Sequence, residues 1–238
     1  MAVSETQGYK PSVQAAFFDV DNTLCRGSTS ILFGKVAFAG GAVKRRDIWR
    51  FAFEQMMFIR RGENNEKMAD FKDRALSLTK GHSVEELKGL IDKVFEQEIK
   101  PRLWPEAVAT AQQHLAAGRE VWLLTAAPVE LAQAIAKDIG ATGALGTIVG
   151  HKDGVLTGNL VGDPLHGEAK RKAAEKLAKE RGISLKDSWA YSDSYNDLPL
   201  LGLVGHAVAV NPDKKLEAHA ETAGWEILRF KKRDLKQG

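Results

Sequence analysis

Two aspartates one residue apart, Asp19 and Asp21, end an apolar run (15–18) that has the composition of a buried strand. In an extended chain, side chains two residues apart point to the same face and lie about 6.6 Å apart along the strand. Both carboxylates can then face one site beyond the strand. Because two carboxylates so close together repel each other, one takes up a proton unless a cation lies between them. The pair therefore predicts a site for a divalent cation.

Oxygen ligands of this kind favour Mg²⁺ or Ca²⁺ over Zn²⁺. An EF-hand loop that began at Asp19 would need glycine at its sixth position and glutamate at its twelfth, where this chain has Leu24 and Ser30. An EF-hand is thus excluded. A purely structural alternative, in which the two acidic side chains cap a strand-to-helix turn, stays open on this segment alone.

A hydroxyl side chain follows a second apolar run, residues 121–124, at Thr125, and two small residues, Ala126 and Ala127, come next. Hydroxyl and backbone N–H groups at the end of a strand are typical ligands of phosphate oxygens. Thr125 and the backbone of Ala126 are therefore candidates to bind a phosphate. Threonine is also common at strand ends for structural reasons alone, and that alternative stays open.

Lys170 lies on the apolar face of a predicted helix, because Ala174, Leu177 and Ala178 follow it at helical spacing. An ammonium group directed inward requires an anionic partner. One hypothesis is that it lies near the acidic residues and binds a phosphate. The alternative is a buried stem whose ammonium group reaches water.

A second acidic pair, Asp193 and Asp197, follows the short apolar run 189–191. Asp197 precedes Leu198 and Pro199 and could serve only as a helix cap. Asp193 has no such structural role. Together with the first pair it places three carboxylates at strand ends, an arrangement that is strongly destabilising without a metal ion.

The elements around these residues predict an α/β fold with a Rossmann-like parallel sheet and helices on both faces. Ligands of such sheets bind beyond the carboxyl ends of the strands, where the residues above fall. The predicted helices are 106–117, 129–139, 168–181 and 198–203, the predicted strands 120–125, 188–192 and 207–210, and the predicted hairpin 148–161. Residues 28–100 have a helical pattern throughout, with a capping box at Ser83 and Glu86, and indicate an inserted all-helical unit.

Composition limits the partners. The 34 basic and 31 acidic residues give a net charge of +3, which is too small to indicate nucleic-acid binding. No run approaches the roughly 20 apolar residues that cross a bilayer, so no stable membrane insertion is expected. Residues 48–59 are apolar on several faces and either pack in the core of the helical unit or bind at a membrane surface. A single cysteine, Cys25, and the lack of a signal peptide predict a cytoplasmic protein.

Taken in order, these motifs resemble those of the haloacid dehalogenase-like hydrolases, and within them the phosphoserine-phosphatase-like subfamily IB with a helical cap. The resemblance rests on the segments 19–24, Thr125, 167–170 and 192–197. It implies a catalytic core formed by residues 1–27 and 101–238 and a cap domain formed by residues 28–100.

The resemblance also implies roles for the site residues. Asp19 would be the nucleophile that forms an aspartyl-phosphate, and Asp21 would protonate the leaving group and then activate water. Phosphoryl oxygens would be bound by Lys170, Thr125 and Ala126. The Mg²⁺ ligands would be Asp19, Asp193 and the backbone carbonyl of Asp21, with Asp197 and Asn196 supporting the site.

The implied substrate is a small-molecule phosphomonoester of the phosphoserine, histidinol phosphate or phosphocholine type. In phosphoserine phosphatases a glutamate soon after the first motif and a cap arginine read the amino acid, and the corresponding positions here are Ser28 and Arg74. Ser28 carries no charge for an ammonium group, which argues against phosphoserine itself. Two other hypotheses remain open, namely a non-catalytic module that binds a phosphometabolite and a phosphotransferase of the same fold.

Overall fold

The computed structural model describes residues 12–39 and 80–231. Its strands are Ala15–Asp19 (β1), Glu120–Pro128 (β2), Gly143–Lys152 (β3), Val155–Val161 (β4), Trp189–Ser192 (β5), His206–Val210 (β6) and Glu226–Leu228 (β7). Its α-helices are Thr29–Ala39 (α1), Val84–Val94 (α2), Pro105–Ala116 (α3), Val129–Ile139 (α4), Glu168–Arg181 (α5), Leu198–Leu201 (α6) and Lys214–Ala223 (α7). A π-helical turn, Phe95–Ile99, and a 3-10 turn, Lys100–Arg102, follow α2.

The strands form one sheet in the order β4-β3-β2-β1-β5-β6-β7, and every neighbouring pair is parallel except the β3–β4 hairpin. β1 lies between β2 and β5, and all of its residues are buried. A strand covered on both faces requires a continuous apolar run, which residues 15–18 supply. The Rossmann-like α/β architecture predicted from the sequence is confirmed.

Two apolar clusters cover the two faces of the sheet. Phe18 belongs to the cluster on one face and stacks on Tyr191 of β5 at 4.2 Å between ring centroids. Phe17 belongs to the cluster on the other face, together with Ala174 and Leu177 of α5. This alternation along β1 fixes which face each helix covers, and it leaves the end of the strand to polar residues.

β2 is longer than predicted, and Thr125 does not end it. Leu124 pairs with Leu145 of β3 and Pro128 pairs with Thr147, so three residues of β2 lie opposite one residue of β3. That one residue is Gly146, where a Cβ atom would lie 2.6 Å from the Cα atom of Val129. Only glycine permits this close approach, and the resulting bulge carries Thr125.

Several predicted elements have their predicted bounds, because strong local signals define their ends. The ranges of α4 and α5 agree with the prediction, and both helices end at a glycine with positive φ, Gly140 and Gly182. The 148–161 hairpin is confirmed, although β3 begins earlier, at Gly143, and pairs there with β2. The sequence did not predict α7 and β7.

Of the described residues in the range 28–100, residues 29–39 and 84–100 are helical, and residues 80–83 form a turn in which Ser83 makes an antiparallel bridge to Val155. Ser83 caps α2 as predicted, since its hydroxyl accepts from the Glu86 N–H at 3.0 Å and the Glu86 carboxylate accepts from the Ser83 N–H at 2.8 Å. Residues 40–79, which include Arg74 and the apolar segment 48–59, lie outside the described residues, and the domain boundaries remain predictions. Within the two described ranges, no helix has both the length and the apolar character needed to cross a bilayer.

Candidate active site

The carboxyl ends of three adjacent strands meet where the candidate residues lie. Asp19 is the last residue of β1, is 5% exposed, and pairs in register with Leu124, directly before Thr125. On the other side, Phe18 pairs with Tyr191, so β5 ends beside Asp19 and leads to Asp193. The sheet thus brings residues from three distant segments to one edge.

A buried lysine links two of the aspartates. The Lys170 Nζ atom lies 2.5 Å from Asp19 Oδ1 and 2.6 Å from Asp197 Oδ2, and its side chain is 4% exposed. Its ammonium group therefore pairs with the acidic residues and does not reach water. Burial alone would lower the pKa of Lys170, but the charges of Asp19 and Asp197 and their hydrogen bonds outweigh burial and raise it.

Asp197 takes part in the site and does not cap α6 with its side chain. Its Oδ2 atom accepts both the Lys170 ammonium and the Ser192 hydroxyl, the latter at 2.8 Å, and no capping hydrogen bond to α6 is formed. The Ser192 hydroxyl in turn accepts from the Ser194 N–H at 3.2 Å. These bonds fix the direction in which Asp197 presents its carboxylate to Lys170.

Asp193 is the carboxylate without a cationic partner. The described residues form ion pairs with Asp19 and Asp197 but none with Asp193, which is hydrogen-bonded by Asn22. Burial, together with the charges of Asp19 and Asp197, raises the pKa of Asp193 to about 8. Burial likewise raises the pKa of Asp19 to about 7, against the opposing charge of Lys170. Three ionised carboxylates beside one ammonium group leave two negative charges in excess, which is the charge that a divalent cation neutralises.

The side-chain donors in this region do not by themselves complete a metal site. Among the described residues, no three side chains of His, Cys, Asp or Glu come together as ligands of one ion. The Asp21 carboxylate is bonded by Thr29, the first residue of α1, and the predicted ligand from Asp21 is its backbone carbonyl. A ligand set at this edge therefore has to include backbone carbonyl or water oxygens besides Asp19 and Asp193.

Asp21 lies just beyond β1 and is held by residues that the sequence did not assign to it. Its Oδ1 atom accepts the Thr29 N–H at 3.0 Å and the Thr29 hydroxyl at 2.6 Å. Burial raises the pKa of Asp21, while these bonds and a further one from Ser28 oppose the rise. Ser28, which the sequence assigned to substrate recognition, therefore contacts the carboxyl group of Asp21.

Three hydrogen bonds hold the segment that carries Thr125. The Thr125 hydroxyl oxygen accepts from the Ala127 N–H at 3.1 Å, which leaves its O–H free to donate. Ala126 is exposed, and its carbonyl accepts the buried Thr147 hydroxyl at 2.8 Å. The same hydroxyl oxygen accepts from the Leu165 N–H at 3.1 Å, so Thr147 ties this segment to the loop before α5.

Of the remaining candidates, Asn196 is not brought into the site. Asn196 is exposed, and the structure gives no contact between its side chain and the three carboxylates among the described residues. Arg74 lies outside the described residues. Thr29 and Thr147 were missed in the sequence, since a threonine there carries no motif and only the fold brings it to the site.

A Rossmann-like sheet with carboxylates and a buried lysine at its carboxyl edge has its charged groups where ligands of such α/β sheets bind. The chain belongs to the haloacid dehalogenase-like hydrolase family, whose model matches residues 16–202.

Several relatives of this chain are named as phosphatases. The chain is 46% identical over 218 residues to the phosphoserine phosphatase SerB1 of Mycobacterium tuberculosis, covering 91% of this chain and 71% of the relative. It is 32% identical over 221 residues to a histidinol-phosphatase of Neisseria meningitidis, covering 91% and 98%. A solved structure of a protein of unknown function from Bordetella pertussis Tohama I has a TM-score of 0.82 at 28% identity, covering 91% and 99%. The chain is a phosphoric monoester hydrolase of this family.

Proposed function

We propose that this protein is a Mg²⁺-dependent phosphatase that hydrolyses a small-molecule phosphomonoester through an aspartyl-phosphate intermediate. The observation that carries the proposal is the cluster at the carboxyl edge, in which Lys170 pairs with both Asp19 and Asp197 while Asp193 has no ion pair among the described residues. A site built in this way binds a cation and a dianionic phosphate together.

The residues present fit Mg²⁺. The excess of two negative charges and the oxygen-only donors suit this ion, which keeps several water ligands and needs few carboxylates. Asp19 and Asp193 would hold it with the backbone carbonyl of Asp21, and Asp197 would support them through Lys170. When bound, the ion neutralises charge on the phosphoryl oxygens and on the carboxylates around them. Asn196 stays a weaker candidate for support, because its side chain is exposed.

Asp19 is the proposed nucleophile. One of its carboxylate oxygens forms a bond to phosphorus while the bond between phosphorus and the leaving oxygen breaks, and Asp21 gives its proton to that oxygen. In the second step a water oxygen attacks the same phosphorus, Asp21 accepts the proton of that water, and the bond to Asp19 breaks. The products are the free alcohol and inorganic phosphate, and both aspartates return to their starting forms.

Lys170 and the bulge of β2 are proposed to bind the phosphoryl group. The ammonium group already touches Asp19, so it lies beside the oxygen that would attack. The Thr125 hydroxyl, which keeps its proton for donation, and the backbone N–H groups around Ala126 would bind the phosphoryl oxygens from the neighbouring strand. These contacts position the group and offset its charge, as phosphoryl transfer requires.

The substrate is proposed to be phosphoserine, histidinol phosphate or a compound of similar size such as phosphocholine. Phosphoserine and histidinol phosphate are the substrates for which two relatives are named. Ser28 has no charge to bind a substrate ammonium group and is engaged with Asp21. Phosphoserine is therefore not favoured over the others, and a panel of these phosphomonoesters is the direct test of preference.

Hydrolysis of p-nitrophenyl phosphate with Mg²⁺, with EDTA, and with the Asp19→Asn variant tests the proposal. We expect activity to require the ion and to be lost in the variant, and Asp92→Asn, on the exposed side of α2, serves as the matched control. Denaturing the enzyme during turnover of a labelled substrate should trap label on the protein that hydroxylamine releases. Activity that survives EDTA or Asp19→Asn would contradict the proposal, and binding of phosphomonoesters without turnover would favour a regulatory module.

A further inference from the structure

One oxygen of the Asp21 carboxyl group is fully engaged by a single residue. Both the backbone N–H and the hydroxyl of Thr29 donate to Oδ1, at 3.0 Å and 2.6 Å. An oxygen that accepts two hydrogen bonds has used both lone pairs, so it cannot also hold a proton. The proton that Asp21 transfers must then be carried by Oδ2.

Thr29 is well placed to hold this orientation. It is completely buried and is the first residue of α1, whose first turn is closed by the bond from the Leu32 N–H to the Ser28 carbonyl at 3.1 Å. Farther along α1, Lys35 pairs with Glu98 at 2.6 Å and ties the helix to the π-helical turn after α2. The position of Thr29 is therefore set by helix packing, and the carboxyl group follows it.

From these contacts we propose that Thr29 is a positioning residue for proton transfer, which presents Oδ2 of Asp21 to the leaving oxygen by occupying Oδ1. The inference rests on the proposed phosphatase function. Thr29 lies in α1, at the start of the predicted cap, and the inference adds it to the residues that support proton transfer by Asp21. Thr29 itself contacts no reacting atom.

The test compares Thr29→Val, which keeps the shape and loses the hydroxyl, with Thr29→Ser, which keeps the hydroxyl. The substrates are p-nitrophenyl phosphate, whose leaving group needs little protonation, and phenyl phosphate, whose leaving group needs more. The measured quantity is kcat/KM, because it reports the steps up to departure of the leaving group. We expect Thr29→Val to lower kcat/KM about tenfold or more for phenyl phosphate and about threefold or less for p-nitrophenyl phosphate, and Thr29→Ser to restore both.

A matched control is Thr110→Val, because the Thr110 hydroxyl also makes a hydrogen bond, to the Glu106 carbonyl at 2.8 Å, but in the middle of α3. This control should change the two substrates equally or leave both unchanged. In an Asp21→Asn background, Thr29→Val should no longer discriminate between the substrates, since its effect acts through Asp21. If Thr29→Val lowers the unfolding midpoint too far for assay, Thr29→Cys, with a similar volume and a weaker donor, replaces it.

Equal losses on both substrates, a failure of serine to restore activity, or discrimination that persists in Asp21→Asn would each overturn the inference. Failure of the proposed function would give a different result. It would appear as activity that survives Asp19→Asn in the protein that keeps Thr29. A chain that passes that assay but shows a flat response to Thr29→Val would keep the phosphatase proposal and reject the role of Thr29.

Discussion

Binding of Mg²⁺ to the metal-free protein should release protons, and the number released should fall as the pH rises. The pKa is raised to about 7 for Asp19 and to about 8 for Asp193, mainly because both carboxyls are buried. An ion that is bound by carboxylates must displace the protons they hold. The two carboxyls interact, so these values describe the pair as it loses its protons in sequence.

The size of the effect follows from these values. At pH 7 the two groups together hold about 1.4 protons, and at pH 9 they hold about 0.1. The apparent affinity for Mg²⁺ should therefore increase about twentyfold between pH 7 and pH 9. The direction follows because only the ionised carboxylates bind the ion.

Isothermal titration calorimetry in pairs of buffers with different ionisation enthalpies measures the protons released per ion bound. The protein is first freed of metal with EDTA and dialysed, and Asp92→Asn provides a control that keeps both carboxyls. Asp193→Asn should lower the release at pH 7 to less than one proton per ion, because only one of the two carboxyls remains to supply it. A release near zero at pH 7, or equal at pH 7 and pH 9, would show that both carboxyls are ionised before the ion arrives and would refute the argument from burial.

Three further predictions concern stability and are checked by urea unfolding. Gly146→Ala places a Cβ atom 2.6 Å from the backbone at the start of α4, so it should lower the free energy of unfolding by about 1–3 kcal/mol. The control, Gly89→Ala, lies in open space on α2 and should be neutral or slightly stabilising. Equal effects of the two substitutions would count against the packing argument. Burial, aided by the charge of a neighbouring arginine, lowers the pKa of His114 from 6.5 to about 4. Between these two pH values the unfolded chain binds a proton at His114 that the folded chain does not bind. The free energy of unfolding should therefore fall by roughly 3 kcal/mol as the pH decreases from about 6.5 to 4. His114→Gln should remove this slope, and a slope that persists in the variant would assign it to other groups. Lys170→Met leaves two buried carboxylates without their cation and should lower the free energy of unfolding by about 3–5 kcal/mol at pH 7.5. A second substitution, Asp197→Asn, should recover a large part of this loss. No recovery in the double variant would mean that charge is not the cause.

The candidate residues that the sequence identified all lie in local patterns. Asp19 and Asp193 follow apolar runs that become parallel strands, and strands of this kind place their carboxyl ends at one edge. Lys170 is recognisable because a charged side chain on the buried face of a helix conflicts with the pattern around it. In each case the signal lies within a few residues, so one sequence suffices to predict it.

The residues that the sequence did not identify depend on contacts between distant segments. Thr147 is 21 residues from Ala126 and 18 from Leu165, and only the pairing of β2 with β3 brings the three together. The bulge in β2 has the same origin, since the register shift is visible only when the partner strand is known. Thr29 is closer in sequence to its partner Asp21, at eight residues, but the turn that joins them has no periodic pattern.

The charge of the site makes these residues easy to predict, and it also lowers the free energy of unfolding. The buried Lys170 ammonium group pairs with Asp19 and Asp197 and offsets one of their two charges, and the partly exposed Asp193 adds a charge that the described residues leave without an ion pair. Evolution toward stability alone would remove it, because a half-buried carboxylate without a cationic partner, next to two others, lowers the free energy of unfolding. Its presence beside Asp19 therefore argues for a ligand that supplies positive charge. The number of protons released on Mg²⁺ binding measures how many protons the carboxyls hold when no cation is bound.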